Sequence, residues 1–215
     1  MHHRDTLPFR ASGARRGLRL FLAAGVLAAM SLGSHVGRAD QTSGATGAPA
    51  APPAAASPTA ADLRGRFGGF FRYSGSAAEQ AARTQAIERS AAPFFFAVRG
   101  MVRSKLEDRT RIMPYCRFEF VQGNIRSTVP GHAVAVSPET GAPSPYRIDD
   151  DAIVLTQRLD GQRLVQVFRA DEGGTRTNEF TLSPDGALLV MKATLSSPKL
   201  SIPVVYTLTY RRAES

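Results

Sequence analysis

Cysteine, tryptophan and lysine are scarce in this chain of 215 residues, which holds one Cys, no Trp and only Lys105, Lys192 and Lys199. A single thiol excludes an internal disulfide, a zinc site built on two or four cysteines and a multi-cysteine iron–sulfur centre. Histidine is nearly as rare: past His2, His3 and His35 only His132 remains, after Pro130-Gly131 at a turn. A zinc site would need partners for that histidine, and a Ser–His–Asp triad would need a G-x-S-x-G elbow; neither is present. The sequence therefore predicts no enzyme, no cofactor and no metal site.

What is present at the N-terminus reads as an address. Arg4, Arg10, Arg15, Arg16 and Arg19 precede an uncharged stretch over residues 20–34, and Gly37-Arg38-Ala39 follows. A basic region, a short apolar region and small residues before a cut make a secretory signal peptide, here 1–39, cleaved after Ala39. An uncleaved anchor is the alternative, although 15 residues is short for a span of about 20. Arg15-Arg16-Gly17-Leu18 resembles the twin-arginine export signal. The expected location is the bacterial periplasm or the exterior, with no membrane span after cleavage.

Export changes the charge argument. The formal charge of +9 includes six basic residues and one acid before Asp40, which leaves 21 Lys+Arg against 17 Asp+Glu. No run of three basic residues occurs in that remainder, so the patch expected of a nucleic-acid binder is missing. Residues 40–61 are rich in Ala and Pro, with no charge beyond Asp40, and read as a semi-extended linker. Residues 62–215 are long enough to bury a core without disulfides.

The spacing predicts helices first and strands afterwards. Ser76-Ala77-Ala78-Glu79 has the capping-box pattern, and good helix formers follow to about residue 90. Pro93 suits the first turn of a second helix, with Phe94, Val98, Met101, Val102 and Leu106 on one face and Arg99 and Arg103 opposite. The helical segment spans about 76–108. From Arg111 the period changes to two. Ile112, Cys116, Phe118 and Phe120 share a face, as do Leu164, Gln166 and Phe168, then Leu189, Met191, Ala193 and Leu195, and finally Val204, Tyr206, Leu208 and Tyr210. Turns at Asp160-Gly161, Gly173-Gly174, Asp185-Gly186 and Ser197-Pro198 recur every 12 or 13 residues. That rhythm describes consecutive hairpins, and a meander of eight or nine strands removes its edges by closing into a barrel. A sandwich or an open curved sheet is the alternative.

Leu63-Arg64-Gly65-Arg66-Phe67 resembles the G-x-W signature of the calycins, the lipocalins and fatty-acid-binding proteins, with Phe67 at the Trp position. Tyr210-Arg211-Arg212 resembles their terminal-strand arginine, and the two early helices are similar to the lid of fatty-acid-binding proteins. The resemblance covers about 63–212. It implies a mainly β (α+β) fold, an antiparallel up-and-down barrel capped by two helices, with Gly65, Phe67 and Arg211 as a structural end-cap.

Candidate binding residues follow from the strand faces. Tyr210 and Arg212 share one face of the last strand, and pointing inward they would clamp a carboxylate or phosphate. Otherwise Arg212, near the C-terminus, is solvated, or Arg211 or Arg212 packs across Phe67. Tyr206 lies on the same face. Of Phe94-Phe95-Phe96, the first reads as core, while Phe95 or Phe96 could line a portal or touch a membrane. Cys116 reads as a buried hydrophobe, and Asp149-Asp150-Asp151 as a solvated turn rather than a calcium site. Together these predict an exported, non-catalytic barrel for a small apolar or amphipathic, lipid-like ligand. The alternative is a periplasmic structural or protein-interaction module whose barrel is filled by its own side chains.

Overall fold

Thr59 forms a complete capping box: its hydroxyl accepts from the Asp62 N–H, and the Asp62 carboxylate accepts from the Thr59 N–H. A computed structural model of the chain describes residues 59–148 and 151–214. The expected signal peptide, the linker up to residue 58 and Asp149-Asp150 lie outside the described residues. Ala60 and Ala61, expected as linker, begin helix α1 (Ala60–Phe67). The signature-like segment 63–67 is therefore helical. It buries Leu63 and Phe67, four apart on one face.

Strand β1 (Gly69–Tyr73) leads into α2 (Ala77–Ala91) and α3 (Phe96–Arg109). The box expected at Ser76 forms only by half. Its hydroxyl accepts from the Glu79 N–H, but the Glu79 carboxylate turns to the last strand instead. On α3 the expected apolar face divides. Leu106 is buried and Val102 half-buried, whereas Val98 and Met101 are exposed, because only the C-terminal half of α3 lies over the core.

Nine more strands follow: β2 (Tyr115–Val121), β3 (Asn124–Thr128), β4 (Ala135–Pro138), β5 (Ser144–Ile148), β6 (Asp151–Asp160), β7 (Arg163–Ala170), β8 (Thr175–Leu182), β9 (Leu188–Ser196) and β10 (Val204–Ala213). All pairings are antiparallel, in the order β4-β3-β2-β1-β10-β9-β8-β7-β6-β5. The four expected turns fall between β6 and β10. Gly161, Gly173 and Gly186 take positive φ there, as tight hairpins require.

Side-chain distances show that this sheet curls onto itself. Phe118 on β2 and Phe180 on β8 are four strand positions apart, about 19 Å in a flat sheet at the usual spacing, yet their ring centroids lie 5.0 Å apart. Ser127 on β3 and Gln157 on β6 are seven positions apart and share a 3.1 Å hydrogen bond. A bridge from Thr140 to Arg158 and a bond from the Tyr146 hydroxyl to the Ala133 carbonyl tie the two edges together. The result is a nearly closed barrel with β4 and β5 at its seam. Its interior holds one core that includes Phe71, Cys116, Phe118, Ile125, Leu164, Phe180, Met191, Leu208 and Tyr210, joined by Ile87 and Leu106 from the helices.

Candidate functional site

Register places a polar row inside the barrel. Gln157, Gln166, Asn178, Ala193 and Tyr206 face one another across β6 to β10. The Gln166 amide donates to Gln157 Oε1 at 2.6 Å and to Ser127 Oγ at 2.9 Å. The Gln157 amide donates to the Ile125 carbonyl at 2.9 Å and Ser137 Oγ at 3.2 Å, and Asn178 Nδ2 reaches Gln166 Oε1 at 3.4 Å. All three amides are buried, and the row satisfies its members by bonding along the wall and across the seam.

One register step nearer the end of β10 that begins at Val204, the inner row reads Leu155, Phe168, Arg176, Leu195 and Val204. A single guanidinium thus stands in an apolar ring. Arg176 Nε donates to Asn178 Oδ1 at 3.0 Å, Nη2 to the Tyr206 hydroxyl at 3.4 Å, and Nη1 to the Arg109 carbonyl at the end of α3 at 2.9 Å. Among the described residues it has no carboxylate partner. A half-buried cation of this kind, beside a phenol and an amide, is suited to an anionic head group. Phe168 and Leu195 beside it are only half-buried, while Tyr146, whose ring lies 6.0 Å from that of Phe168, adds an apolar face. Burial raises the Tyr146 pKa, so it stays a neutral phenol.

The structure separates the residues that the sequence groups together. Tyr206 belongs to the polar row beside Arg176. Tyr210 does not: it is fully buried, its ring edge-on to Tyr73 at 5.7 Å, and burial holds its hydroxyl far above the ordinary phenol range. Arg212 is no clamp for a ligand here. Its three guanidine nitrogens bind the carbonyls of Gly186, Gly68 and Arg66, and its Cζ sits 4.6 Å from the Phe71 ring centroid. The cation–π contact expected of Arg211 or Arg212 on Phe67 is made by Arg212, and on Phe71 instead. Arg211 is exposed on the outer wall, Phe67 is buried at the end of α1, and Gly65 is exposed with open space where a side chain would stand. Phe95 and Phe96 are 66% and 74% exposed at the start of α3, with ring centroids 4.4 Å apart and tilted by 54°. They lie outside the inner rows.

Arg176 is the residue the sequence reading overlooks. The signal was available, since period two on β8 puts Arg176 on the face of Asn178, Phe180 and Leu182.

The ten strands form an up-and-down meander with a helical pair between the first and second, the capped barrel that the calycin resemblance implies. The domain is a calycin-like β-barrel. No family model and no curated protein sequence matches the chain. Among solved structures it is similar to a secretory abundant heat soluble (SAHS) protein from Ramazzottius varieornatus. That match has 8% identity and TM-score 0.48, covering 69% of this chain and 96% of that one. A fatty-acid-binding protein from Manduca sexta matches at 15% identity and TM-score 0.44, covering 68% and 98%. Fatty-acid-binding protein 1 from Echinococcus granulosus matches at 14% identity and TM-score 0.41, covering 69% and 98%.

Proposed function

We propose that this domain is an exported, non-catalytic carrier for a small amphipathic molecule, its anionic head group bound by Arg176 and Tyr206. The observation behind this reading is the Arg176 guanidinium, half-buried among Leu155, Phe168, Leu195 and Val204 and, among the described residues, without an acid to neutralise it. A carboxylate there would accept a charge-assisted, two-pronged bond, with the Tyr206 hydroxyl as a further donor. The half-buried Phe168 and Leu195 would take the first part of the tail. Export follows from the signal-like residues 1–39, and the final location is periplasmic or extracellular. The test is displacement of a fluorescent fatty acid by dodecanoate, with purified domain and its Arg176→Gln variant. Saturable displacement that weakens at least tenfold in Arg176→Gln supports the reading, and no probe binding by the unaltered domain refutes it.

A second reading is favoured by a specific observation. Phe118 meets Phe180 inside the barrel, and Gln157 bonds Ser127, Ser137 and the Ile125 carbonyl, so side chains of the protein itself occupy the lower interior. On this reading the barrel is a filled scaffold whose partners meet its surface. Mass spectrometry under native conditions on protein from its own envelope separates the two. A co-purified small molecule supports the carrier, and bare protein together with failed displacement supports the scaffold.

A further inference from the structure

Two arginines face each other directly on the outer wall near the end of the barrel closed by α1. Arg72 on β1 is in register with Arg211 on β10, and both side chains are exposed. Like charges in directly opposed positions on adjacent strands destabilise a sheet. Neither guanidinium forms a close ion pair among the described residues, although the Ser183 hydroxyl and, to a lesser degree, the charge of Arg211 hold the Asp185 carboxyl below its ordinary range. The neighbouring acids are committed or offset: Glu119 pairs with Arg117 and Arg126, and Asp185 accepts from Ser183 and Ala187. Glu214 lies further along, beside Ala213 at the rim of a surface depression.

Aromatic rings complete the feature. Phe70 shares the outer face of β1 with Arg72, whose guanidinium carbon lies 5.4 Å from the Phe70 centroid. Tyr115, in register with Arg72, has its ring 4.9 Å from Phe70. Beside them is an open depression of about 330 Å³ lined by Gly69, Phe70, Arg117, Ala213 and Glu214. The tilted ring pair supports Arg72 through the Phe70 face, and Arg211 stands in register next to it.

The geometry points to a phosphate-binding site on this wall, in which Arg72 and Arg211 grip one phosphate group between them while the Phe70–Tyr115 pair supports the rest of the ligand. A bound dianion converts the opposed charges from a cost into a clamp, and planar guanidinium forks match phosphate oxygens. The ligand class is a phosphate ester or diphosphate, from a lipid head group or from a soluble molecule. This site is independent of the barrel interior and of whether a carrier ligand binds there.

The experiment uses pyrophosphate as the probe and thermal unfolding at low salt as the readout, with Arg72→Gln, Arg211→Gln, their combination, and Arg169→Gln on the outer face of β7 as a charge-matched control. Each single variant at the site is expected to melt higher than the unaltered domain, by about 1–3 °C, because repulsion is removed. Pyrophosphate is expected to raise the melting temperature of the unaltered domain and of Arg169→Gln, with affinity at least tenfold weaker in the double variant. Sedimentation with phosphatidylglycerol vesicles that depends on Arg72 and Arg211 assigns the phosphate to a lipid. Pyrophosphate binding without sedimentation assigns it to a soluble ligand. An equal pyrophosphate shift in the double variant, or none in the unaltered domain, overturns the site.

Discussion

Cys116 sits on the inner face of β2 opposite Phe71, where burial pushes its thiol up to about 12. Folding therefore favours the protonated thiol, and the linkage has a definite sign. The unfolded chain loses this proton near its ordinary value of 9.0, whereas the folded chain holds it to about 12. The thiol's contribution is constant below pH 9 and falls between 9 and 12, by about 1.4 kcal/mol per pH unit. The raised Tyr210 hydroxyl adds loss in the same direction above its ordinary value of 10.0. Urea melts at pH 7, 9 and 10.5 should show little change over the first interval and a marked drop over the second. A thiol reagent at pH 8 should label Cys116 only after unfolding. Arg212 supports a second prediction at this scale. Arg212→Leu releases three main-chain carbonyls at the α1 end and the contact with Phe71. It should cost about 2–4 kcal/mol in urea, and Arg212→Lys should recover less than half of that.

Among the elements, α2 is tied to the last strand by one carboxylate. Strand β1 runs out at Tyr73, and beyond it the Thr209 N–H and hydroxyl of β10 donate to Glu79 at 2.9 and 2.6 Å. Glu79→Gln keeps the size of the side chain but removes the charge from both bonds. The expected loss is about 1–3 kcal/mol, with hydrogen exchange of α2 amides accelerating more than that of β9 or β10. The start of α3 behaves oppositely. Phe95, Phe96 and Met101 are exposed, so Phe95→Ser/Phe96→Ser should leave stability within about 0.5 kcal/mol and lower the binding of a hydrophobic dye. The strands and their four turns were legible because Asp-Gly and Gly-Gly mark hairpins and period two marks faces. The outward half of α3 was not. Val98 and Met101 have the right spacing for a buried stripe, but spacing cannot say where a helix overhangs the core. The second role of Glu79 was also hidden, since its partner lies 130 residues away.

For the whole molecule, closure is the property from which the site follows. Hairpin rhythm led to a barrel, and the β4–β5 seam is sealed by Gln157, Ser137 and Tyr146 rather than by a continuous ladder. A sequence pattern reports which way a side chain faces but not which distant strand it meets. That is why Tyr206 was legible as an inward residue, while its neighbour Arg176 was not paired with it. Arg212, expected to face a ligand, instead ties the barrel end to α1. The proposed role of Arg176, beside Tyr206, is to hold an anionic head group. Carbon-13 NMR of carboxyl-labelled dodecanoate mixed with the domain tests this most directly. A distinct bound carboxyl resonance is expected, one that stays ionised to lower pH than free dodecanoate and is lost in Arg176→Gln. A spectrum holding only the free resonance, or a bound resonance indifferent to that substitution, would contradict it.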